Sequence, residues 1–539
     1  MNKRNIFWGH AFLICFGMSC KELKQQPNNI FRYNETAGIS TLDPAFAKNQ
    51  ALMWPTHQLY NTLIEVDSAL NLVPSIAKSW TFSTDKKTIT FHLRTDVYFH
   101  DDACFTGGKG RKLRAADVVY SLNRIIDPNV ASPGAWIFNN KLDSINPFKV
   151  VDDSTFLLSM QSPFVPMLGI LSMSYCAIVP KEAVEKYGVD FRKHPVGTGP
   201  FCLLRWQEGE RLVMKKNLHY FEKDEKGNSL PYLDGVSIQF LDSKTTEFLA
   251  FEQQQLDFIN DPDPAFKDEL LTKSGKLKSN WASTFSVQQH PFLNTEYLGI
   301  LIDEQSELVK SSPLRLAKIR QAINYAIDRK KLLFYMRNSI GNVASSGFVP
   351  IGLPSFDSKL KGFEYDPVRA KLLLTAAGID EQHPMPPITL TTVPNYAGIG
   401  SFIANELQQV GINAKVEIVQ KSLLLQQMSA AQVVFFRGSW IADYPEASNF
   451  FSVFYGKNPA PPNYTRYQNE QFDLLYEKAI AEPVDSIRYA IYRSLEYLIM
   501  EDAPVVPLWY DMSIHLIQKN ITGFTSNSMN MLELKRVKK

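Results

Sequence analysis

The 539-residue sequence is poor in cysteine, and it has no long apolar segment beyond its first 20 residues. Two of its five cysteines lie in that first segment, so Cys104, Cys176 and Cys202 allow at most one disulfide. No later window has eighteen consecutive apolar residues, so no further membrane span is predicted. Stability must therefore come from hydrophobic cores, and the length predicts two to four domains.

The motifs of common enzymes and metal sites are also missing. The nine histidines form no His-Glu-x-x-His pattern, and no Gly-x-Ser-x-Gly nucleophile elbow occurs. Gly107-Gly108-Lys109-Gly110 lacks the spacing of a phosphate-binding P-loop. The sequence therefore predicts no metal, no cofactor and no enzymatic activity. A hydrolase with two carboxylates flanking a cleft is kept as a distant alternative.

The first residues have the layout of a secretory signal peptide over 1–19. Lys3 and Arg4 give a positive start, an apolar stretch of about eleven residues follows, and small residues precede Cys20. Small residues before a cysteine resemble the lipobox of bacterial lipoproteins, although Gly17 stands where that motif usually has Leu. We expect lipidation at Cys20 and a polar tether over 20–29, with cleavage without lipidation as the alternative.

Excess charge of one sign is absent as well. The formal net charge is +2, and cleavage before Cys20 would remove Lys3 and Arg4 and leave it at 0. A neutral chain has no electrostatic footprint for nucleic acid, so no nucleic-acid partner is predicted.

The most informative stretch is the one from Val433 to Pro445. Its first four residues are β-branched or aromatic and predict a buried strand, after which the chain turns polar at Arg437. Trp440 and Asp443 follow. One large aromatic residue and one acid at the polar, solvent-exposed end of a strand indicate the floor of a ligand cleft. The acid would attract a cation such as an amine. The alternative is that Asp443 caps the next helix and Trp440 belongs to the core.

Other segments predict an α/β lobe around this strand. Asp366 is suited to an N-cap, Pro367 to the first helical turn and Gly378 to the C-terminal side, which predicts a helix from Asp366 to Ala377. A second helix is predicted over 401–410 and a strand over 412–419. The stretch 315–336 has helical spacing with a break at Asp328.

Several segments, taken in order, resemble one known family. They are Leu42-Asp43-Pro44, Phe91-His92-Leu93-Arg94, Gly197-Thr198-Gly199-Pro200-Phe201, the stretch from Ile319 to Arg329, and Tyr365-Asp366-Pro367-Val368-Arg369-Ala370. Their succession from about Thr41 to Pro507 resembles the family 5 extracellular solute-binding proteins, the oligopeptide- and dipeptide-binding subunits of ABC importers.

The resemblance implies a periplasmic-binding-protein-like α/β fold of type II, cluster C, with two lobes, a hinge and an extra inserted domain. Carried over to this sequence, lobe I takes 30–60, 185–290 and 508–539, the extra domain takes 61–184, and lobe II takes 291–507. A monomer anchored by lipid on the periplasmic side of the envelope or at the cell surface would close around its ligand and deliver it to membrane permease subunits.

The resemblance also implies a peptide site. Asp443 occupies the place of the acid that receives the peptide α-ammonium, and Arg437 a place where some relatives hold a peptide carboxylate. Ser439 would offer backbone and Trp440 a pocket wall. Further contacts are expected from the loop Lys48-Asn49-Gln50, from Trp136 and from Trp509. Relatives on the same frame bind nickel chelates, haem or sugars, so a non-peptide solute is the alternative.

Overall fold

The computed structural model describes residues 29–539, with only the backbone at 264–265. The predicted signal peptide (1–19), the lipidation site Cys20 and all but the last residue of the tether (20–29) lie outside the described residues. In the part of the chain that is described, no helix has both the length and the apolar character that a membrane crossing requires.

The described chain alternates between helices and strands, as the predicted α/β class requires. The strands are β1 (Ile30–Asn34), β2 (Ile64–Val66), β3 (Leu72–Pro74), β4 (Ala77–Phe82), β5 (Thr88–Leu93), β6 (Phe148–Asp152), β7 (Thr155–Ser159), β8 (Phe201–Gln207), β9 (Arg211–Lys216), β10 (Gly235–Gln239), β11 (Phe258–Asn260), β12 (Phe285–Ile300), β13 (Asn342–Val343), β14 (Ile388–Thr392), β15 (Ala414–Ile418), β16 (Phe435–Ile441), β17 (Val505–Gln518), β18 (Thr525–Ser526) and β19 (Leu532–Glu533).

The helices vary from a single turn to five turns. They are α1 (Gln50–Leu59), α2 (Ala115–Ile126), α3 (Met167–Ile170), α4 (Lys181–Tyr187), α5 (Lys244–Glu252), α6 (Pro264–Leu270), α7 (Glu307–Lys310), α8 (Ala317–Ala326), α9 (Arg329–Arg337), α10 (Pro367–Ala376), α11 (Ala397–Gln408), α12 (Lys421–Ser429), α13 (Ser448–Phe451), α14 (Glu470–Ile480) and α15 (Asp485–Asp502).

One large sheet runs through the molecule in the strand order β15-β14-β16-β12-β17-β11-β1-β10-β9-β8. Its centre is the antiparallel pair β12 and β17, whose register is interrupted between Pro291 and Thr295. On one side of this interruption β12 also pairs with β16, and on the other side β17 pairs with β11. The two long strands therefore connect two halves of the structure. A separate sheet, β4-β5-β7-β6, lies within 61–184.

Separate hydrophobic cores stabilise the two halves. The largest core contains Phe31, Phe91 and Phe258, so the region 61–184 packs directly on the half formed by β1 and β8–β11. A second core contains Leu298 and Trp509 together with residues of α8, α11, β14 and β16. Cys104, Cys176 and Cys202 are free thiols, so these cores carry the stability without a disulfide among the described residues.

Candidate ligand cleft

Strand β16 continues through the polar residues that were expected to end it. It runs from Phe435 to Ile441, and each of its residues has an antiparallel partner on β12, from Phe435 opposite Ile300 to Ile441 opposite Asn294. The prediction that the strand stops at 436 is therefore wrong, because cross-strand pairing outweighs the local polarity of the sequence. Asp443 follows two residues after the true end of the strand.

Asp443 is a half-buried carboxylate without an internal counter-charge. Its Oδ2 accepts a hydrogen bond of 3.0 Å from Asn449 Nδ2. Burial raises the pKa of Asp443 above its ordinary value, and the Asn449 bond opposes this rise. Within residues 29–539, no cationic side chain lies at ion-pair distance from it. An ionised carboxylate in this setting favours an external cation.

Asn449 joins Asp443 to Trp440, a role that no motif in the sequence indicates. Asn449 lies on α13 and is 3% exposed. Its Oδ1 accepts hydrogen bonds from Trp440 Nε1 at 2.9 Å and from the Asp443 amide at 3.3 Å. The two predicted residues are thus fixed relative to each other by one buried amide.

Asp443 lines a cavity of about 470 Å³, which lies in the range of small-molecule sites. Its walls come from distant parts of the chain: α1, the segments 65–74 and 172–173, residues 443–445, and the C-terminal segment 525–536. Four methionines contribute flexible apolar surface to it. They are Met53, Met173, Met529 and Met531.

A charge cluster forms another wall of this cavity. Lys535 Nζ lies 2.6 Å from Glu65 Oε2, 2.9 Å from Glu222 Oε1 and 3.7 Å from Glu533 Oε2. His57 Nε2 lies 3.2 Å from Glu533 Oε2. Burial opposes the ionisation of Glu533, but Lys535 and His57 outweigh it and lower the pKa to about 2. These carboxylates, unlike Asp443, have cationic partners within the protein.

Arg437 is already paired inside the protein. Its Nη2 lies 2.6 Å from Glu296 Oε1, its Nε donates to Glu296 Oε2 at 3.1 Å, and its guanidinium lies 3.9 Å from the centre of the Tyr396 ring. Burial opposes the charge of Arg437, but Glu296 raises its pKa. The expectation of an arginine free to bind a ligand carboxylate does not match this geometry.

Three other predicted contact residues form hydrogen bonds within the protein. Ser439 Oγ donates to Asn294 Oδ1 at 3.3 Å. Asn49 caps α1 by accepting from the Leu52 amide at 3.2 Å, and Gln50 Oε1 accepts from Asn530 Nδ2 at 3.2 Å.

The two predicted tryptophan contacts differ in exposure. Trp136 is 41% exposed on the short 3-10 helix Ala135–Phe138, and it does not line the cavity at Asp443. Trp509 has no exposed surface, because it is enclosed in the second core. A ligand therefore has no access to the Trp509 ring in this conformation, which corrects the expectation for that residue.

His, Cys, Asp and Glu side chains can also form metal-binding sites. Among residues 29–539, no three or more His, Cys, Asp or Glu side chains are grouped so that they could hold a metal ion.

Comparison with known proteins shows which family has this architecture. Residues 71–462 match the bacterial extracellular solute-binding proteins, family 5 Middle. The chain belongs to this family. The resemblance predicted from the sequence is confirmed, since the match covers most of the chain.

Individual relatives are similar over almost their whole length. The dipeptide-binding protein of Escherichia coli (strain K12) is 25% identical over 487 residues, which are 86% of each chain. Heme-binding protein A of Haemophilus influenzae is 24% identical over 527 residues, which are 94% of this chain and 91% of the relative.

A solved structure confirms the fold class. The periplasmic murein tripeptide-binding protein MppA, in its unliganded open form, has a TM-score of 0.83 at 21% identity. The alignment covers 95% of this chain and 98% of that chain. The predicted two-lobe α/β fold of this solute-binding family is therefore confirmed.

Proposed function

We propose that this chain is the lipid-anchored substrate-binding protein of an ABC importer, and that it captures peptides by placing their α-ammonium on Asp443. The observation that carries this proposal is an unpaired, half-buried carboxylate at the wall of a cavity of about 470 Å³. The names of two of its relatives, a dipeptide-binding and a murein tripeptide-binding protein, support the peptide class.

The arrangement of the sheet supports closure around the ligand. The β12–β17 register shifts between Pro291 and Thr295, next to the predicted lobe boundary at 290/291, and again between Glu296 and Tyr297, opposite the boundary at 507/508. We therefore keep lobe I at 30–60, 185–290 and 508–539, the extra domain at 61–184 and lobe II at 291–507. A ligand that contacts both lobes binds the closed state more strongly and shifts the hinge equilibrium toward it.

Closure would strengthen the contact at Asp443. An ammonium sealed against this carboxylate forms a buried ion pair, and removing one partner of such a pair costs about 3–5 kcal/mol. Trp440, held by Asn449, would form the side of the pocket next to the first peptide residue. Main-chain hydrogen bonds at about 0.5–1.5 kcal/mol each would add affinity without selecting side chains.

The test is calorimetric titration with short peptides, with the variant Asp443→Asn. We expect affinity to fall about a hundredfold or more, and N-acetylation of the peptides to have the same effect on the unmodified protein. Asp67→Asn is a matched control, because Asp67 lines the same cavity but accepts hydrogen bonds from the Ala69 and Asn71 amides of its own turn.

Several outcomes separate this proposal from its alternatives. Equal binding by Asp443→Asn and the unmodified protein would refute the role of Asp443. Tight binding of haem, a nickel chelate or a sugar, with no response to peptides, would assign a different solute; one relative is named a heme-binding protein.

The envelope location has its own test. We propose that the predicted signal peptide (1–19) is cleaved and that Cys20 carries lipid, which tethers the monomer to a membrane next to its permease. Labelled fatty acid should be incorporated into the exported chain and not into Cys20→Ala, which should be recovered in the soluble fraction. Incorporation that survives Cys20→Ala would contradict the assignment.

A further inference from the structure

Two arginines near the crossing of β12 and β17 have carboxylate partners. Arg437, on β16, is bound to Glu296 of β12 by both a 2.6 Å and a 3.1 Å hydrogen bond. Arg337, at the end of α9, donates to Asp511 Oδ1 of β17 at 2.6 Å. The exposed fraction of these side chains is 17% for Arg437 and 19% for Arg337. Both cations are thus near the surface but compensated.

Aromatic stacking closes these two pairs into a ring of side chains. The guanidinium of Arg437 lies over Tyr396, and that of Arg337 lies 4.6 Å from the ring centre of Trp509. Tyr396 and Trp509 are themselves parallel, with centres 6.5 Å apart and planes at 5°. Each arginine is therefore held by a carboxylate and by an aromatic face, which limits its rotamers.

Asn294 completes the ring on the side of the carboxylates. Its Nδ2 lies 3.1 Å from Asp511 Oδ2 and 3.4 Å from Glu296 Oε1. The Tyr396 hydroxyl lies 3.3 Å from the same Glu296 oxygen. Glu296 therefore has polar partners on three sides and is only 2% exposed.

This geometry decides what a ligand carboxylate would meet at Arg437. Glu296 takes the Nε and Nη2 donors of Arg437, so a ligand carboxylate at the remaining Nη1 donors would meet a cation whose charge is already balanced. A carboxylate that replaced Glu296 would leave a buried acid without its cation, which is strongly unfavourable. Asp443 presents the opposite case, because it has no internal cation to displace.

We propose that Glu296 is a specificity-determining residue that occupies Arg437, so that the cleft selects peptides by their amino end and makes no use of their terminal carboxylate. This inference rests on the proposed function of Asp443 and refines its substrate class. The protein accepts free-acid and carboxyl-blocked peptides equally, provided that the amino end is free.

Strand geometry sets the peptide length at which Glu296 matters. At about 3.3 Å per residue, the four steps from Arg437 to Ile441 span about 13 Å, and Asp443 lies beyond that end. A peptide anchored at Asp443 would therefore bring its carboxyl end to Arg437 only when it has about four or more residues.

The test compares alanine peptides of two to six residues, each as the free acid and as the C-terminal amide, by calorimetric titration. With the unmodified protein we expect affinities for acid and amide within about twofold at each length. Glu296→Gln removes the negative charge that balances Arg437, so acids of about four or more residues should then bind about tenfold more tightly than their amides. N-acetylated peptides should bind neither protein.

Glu406→Gln is the matched control, because Glu406 is a buried acid that pairs with Lys331 at 2.9 Å, outside the ring. It should show no preference for acids. A preference for acids in the unmodified protein would overturn the proposal, and this comparison decides even where Glu296→Gln fails to fold. A folded Glu296→Gln protein that binds acid and amide equally would also overturn it. Loss of all dependence on the free amino end would instead refute the role of Asp443, and this inference with it.

Discussion

Glu496 provides a test of the structure that needs no ligand. It lies on α15, is 4% exposed, and its carboxylate accepts hydrogen bonds from the amides of Phe348, at 2.8 and 3.0 Å, and Val349, at 2.8 Å. Among the residues described, no cation forms an ion pair with it. Burial raises the pKa of Glu496 from 4.5 to about 7, although the two amides oppose the rise.

The sign of the effect on stability follows from proton binding. Between pH 4.5 and 7 the folded protein keeps a proton on Glu496 that the unfolded chain has lost, so stability falls as the pH rises through this window. At 1.36 kcal/mol per pH unit, the whole loss amounts to roughly 3 kcal/mol. Above pH 7 both states are ionised, and the loss stays constant.

Glu496→Gln removes this titration while keeping an oxygen that can accept the two amide hydrogen bonds. We expect the variant and the unmodified protein to have similar free energies of unfolding at pH 5. At pH 8 the variant should be more stable by roughly 3 kcal/mol, since it carries no buried charge. Urea denaturation at pH 5, 6, 7 and 8 measures the difference.

Glu501→Gln is a matched control on the same helix, because Glu501 is exposed. The free energy of unfolding of this control should differ little from that of the unmodified protein, and by the same amount at each pH. A pH-independent difference for Glu496→Gln, or a less stable variant at pH 8, would refute the assignment of an uncompensated buried carboxyl group.

Three further substitutions test the cleft and the packing around it. Lys535→Met should lower the free energy of unfolding by about 3–5 kcal/mol, because it leaves Glu65 and Glu222 without their cation and Glu533 with His57 alone; a loss below about 1 kcal/mol in urea denaturation would contradict this. Asn449→Ala removes the bond that lowers the pKa of Asp443, so peptide binding should be lost at a higher pH on acidification; an unchanged pH profile would contradict the link. Gly347→Ala should destabilise by about 1–3 kcal/mol, because φ is +99° there and a Cβ would lie 2.4 Å from a Glu496 oxygen; a neutral effect in urea denaturation would count against this contact.

Local signals in the sequence predicted individual elements well. The predicted helix from Asp366 to Ala377 is observed as α10, in which the Asp366 carboxylate accepts from the Arg369 amide at 2.9 Å. The expected break at Asp328 separates α8 from α9, and Asp328 caps the latter. Such features succeed because a cap and its helix are neighbours in the chain.

The end of β16 shows where local reasoning fails. The polar triplet from Arg437 to Ser439 favours a turn, but Glu296, Tyr297 and Leu298 of β12 stand opposite these residues and extend the strand. The partner strand lies about 140 residues earlier in the chain. No periodicity within β16 itself indicates that β12 pairs with it.

The large separation of contacting residues along the sequence also explains which contacts in the cleft were not predicted. Asp443 and Trp440 were predicted as ligand contacts because the acid and the aromatic ring stand in one short segment of the chain. Glu296, which decides the state of Arg437, has no local feature that sets it apart from other glutamates. Trp509 follows the four apolar residues that begin β17, and its burial depends on helices that pack from elsewhere.

Asp443 and Arg437 differ in whether they already have a charged partner within the protein. Sequence resemblance assigns opposite charges to the two ends of a bound peptide, at Asp443 and Arg437. The structure compensates only the second of them, through Glu296 at 2.6 Å, and leaves the first with a neutral amide. Because a compensated charge gains little from a new partner whereas an uncompensated buried one gains much, selectivity should concentrate at the amino end. A binding protein built this way would discriminate through the charge that it leaves unpaired, and the number of charges in the cleft would matter less.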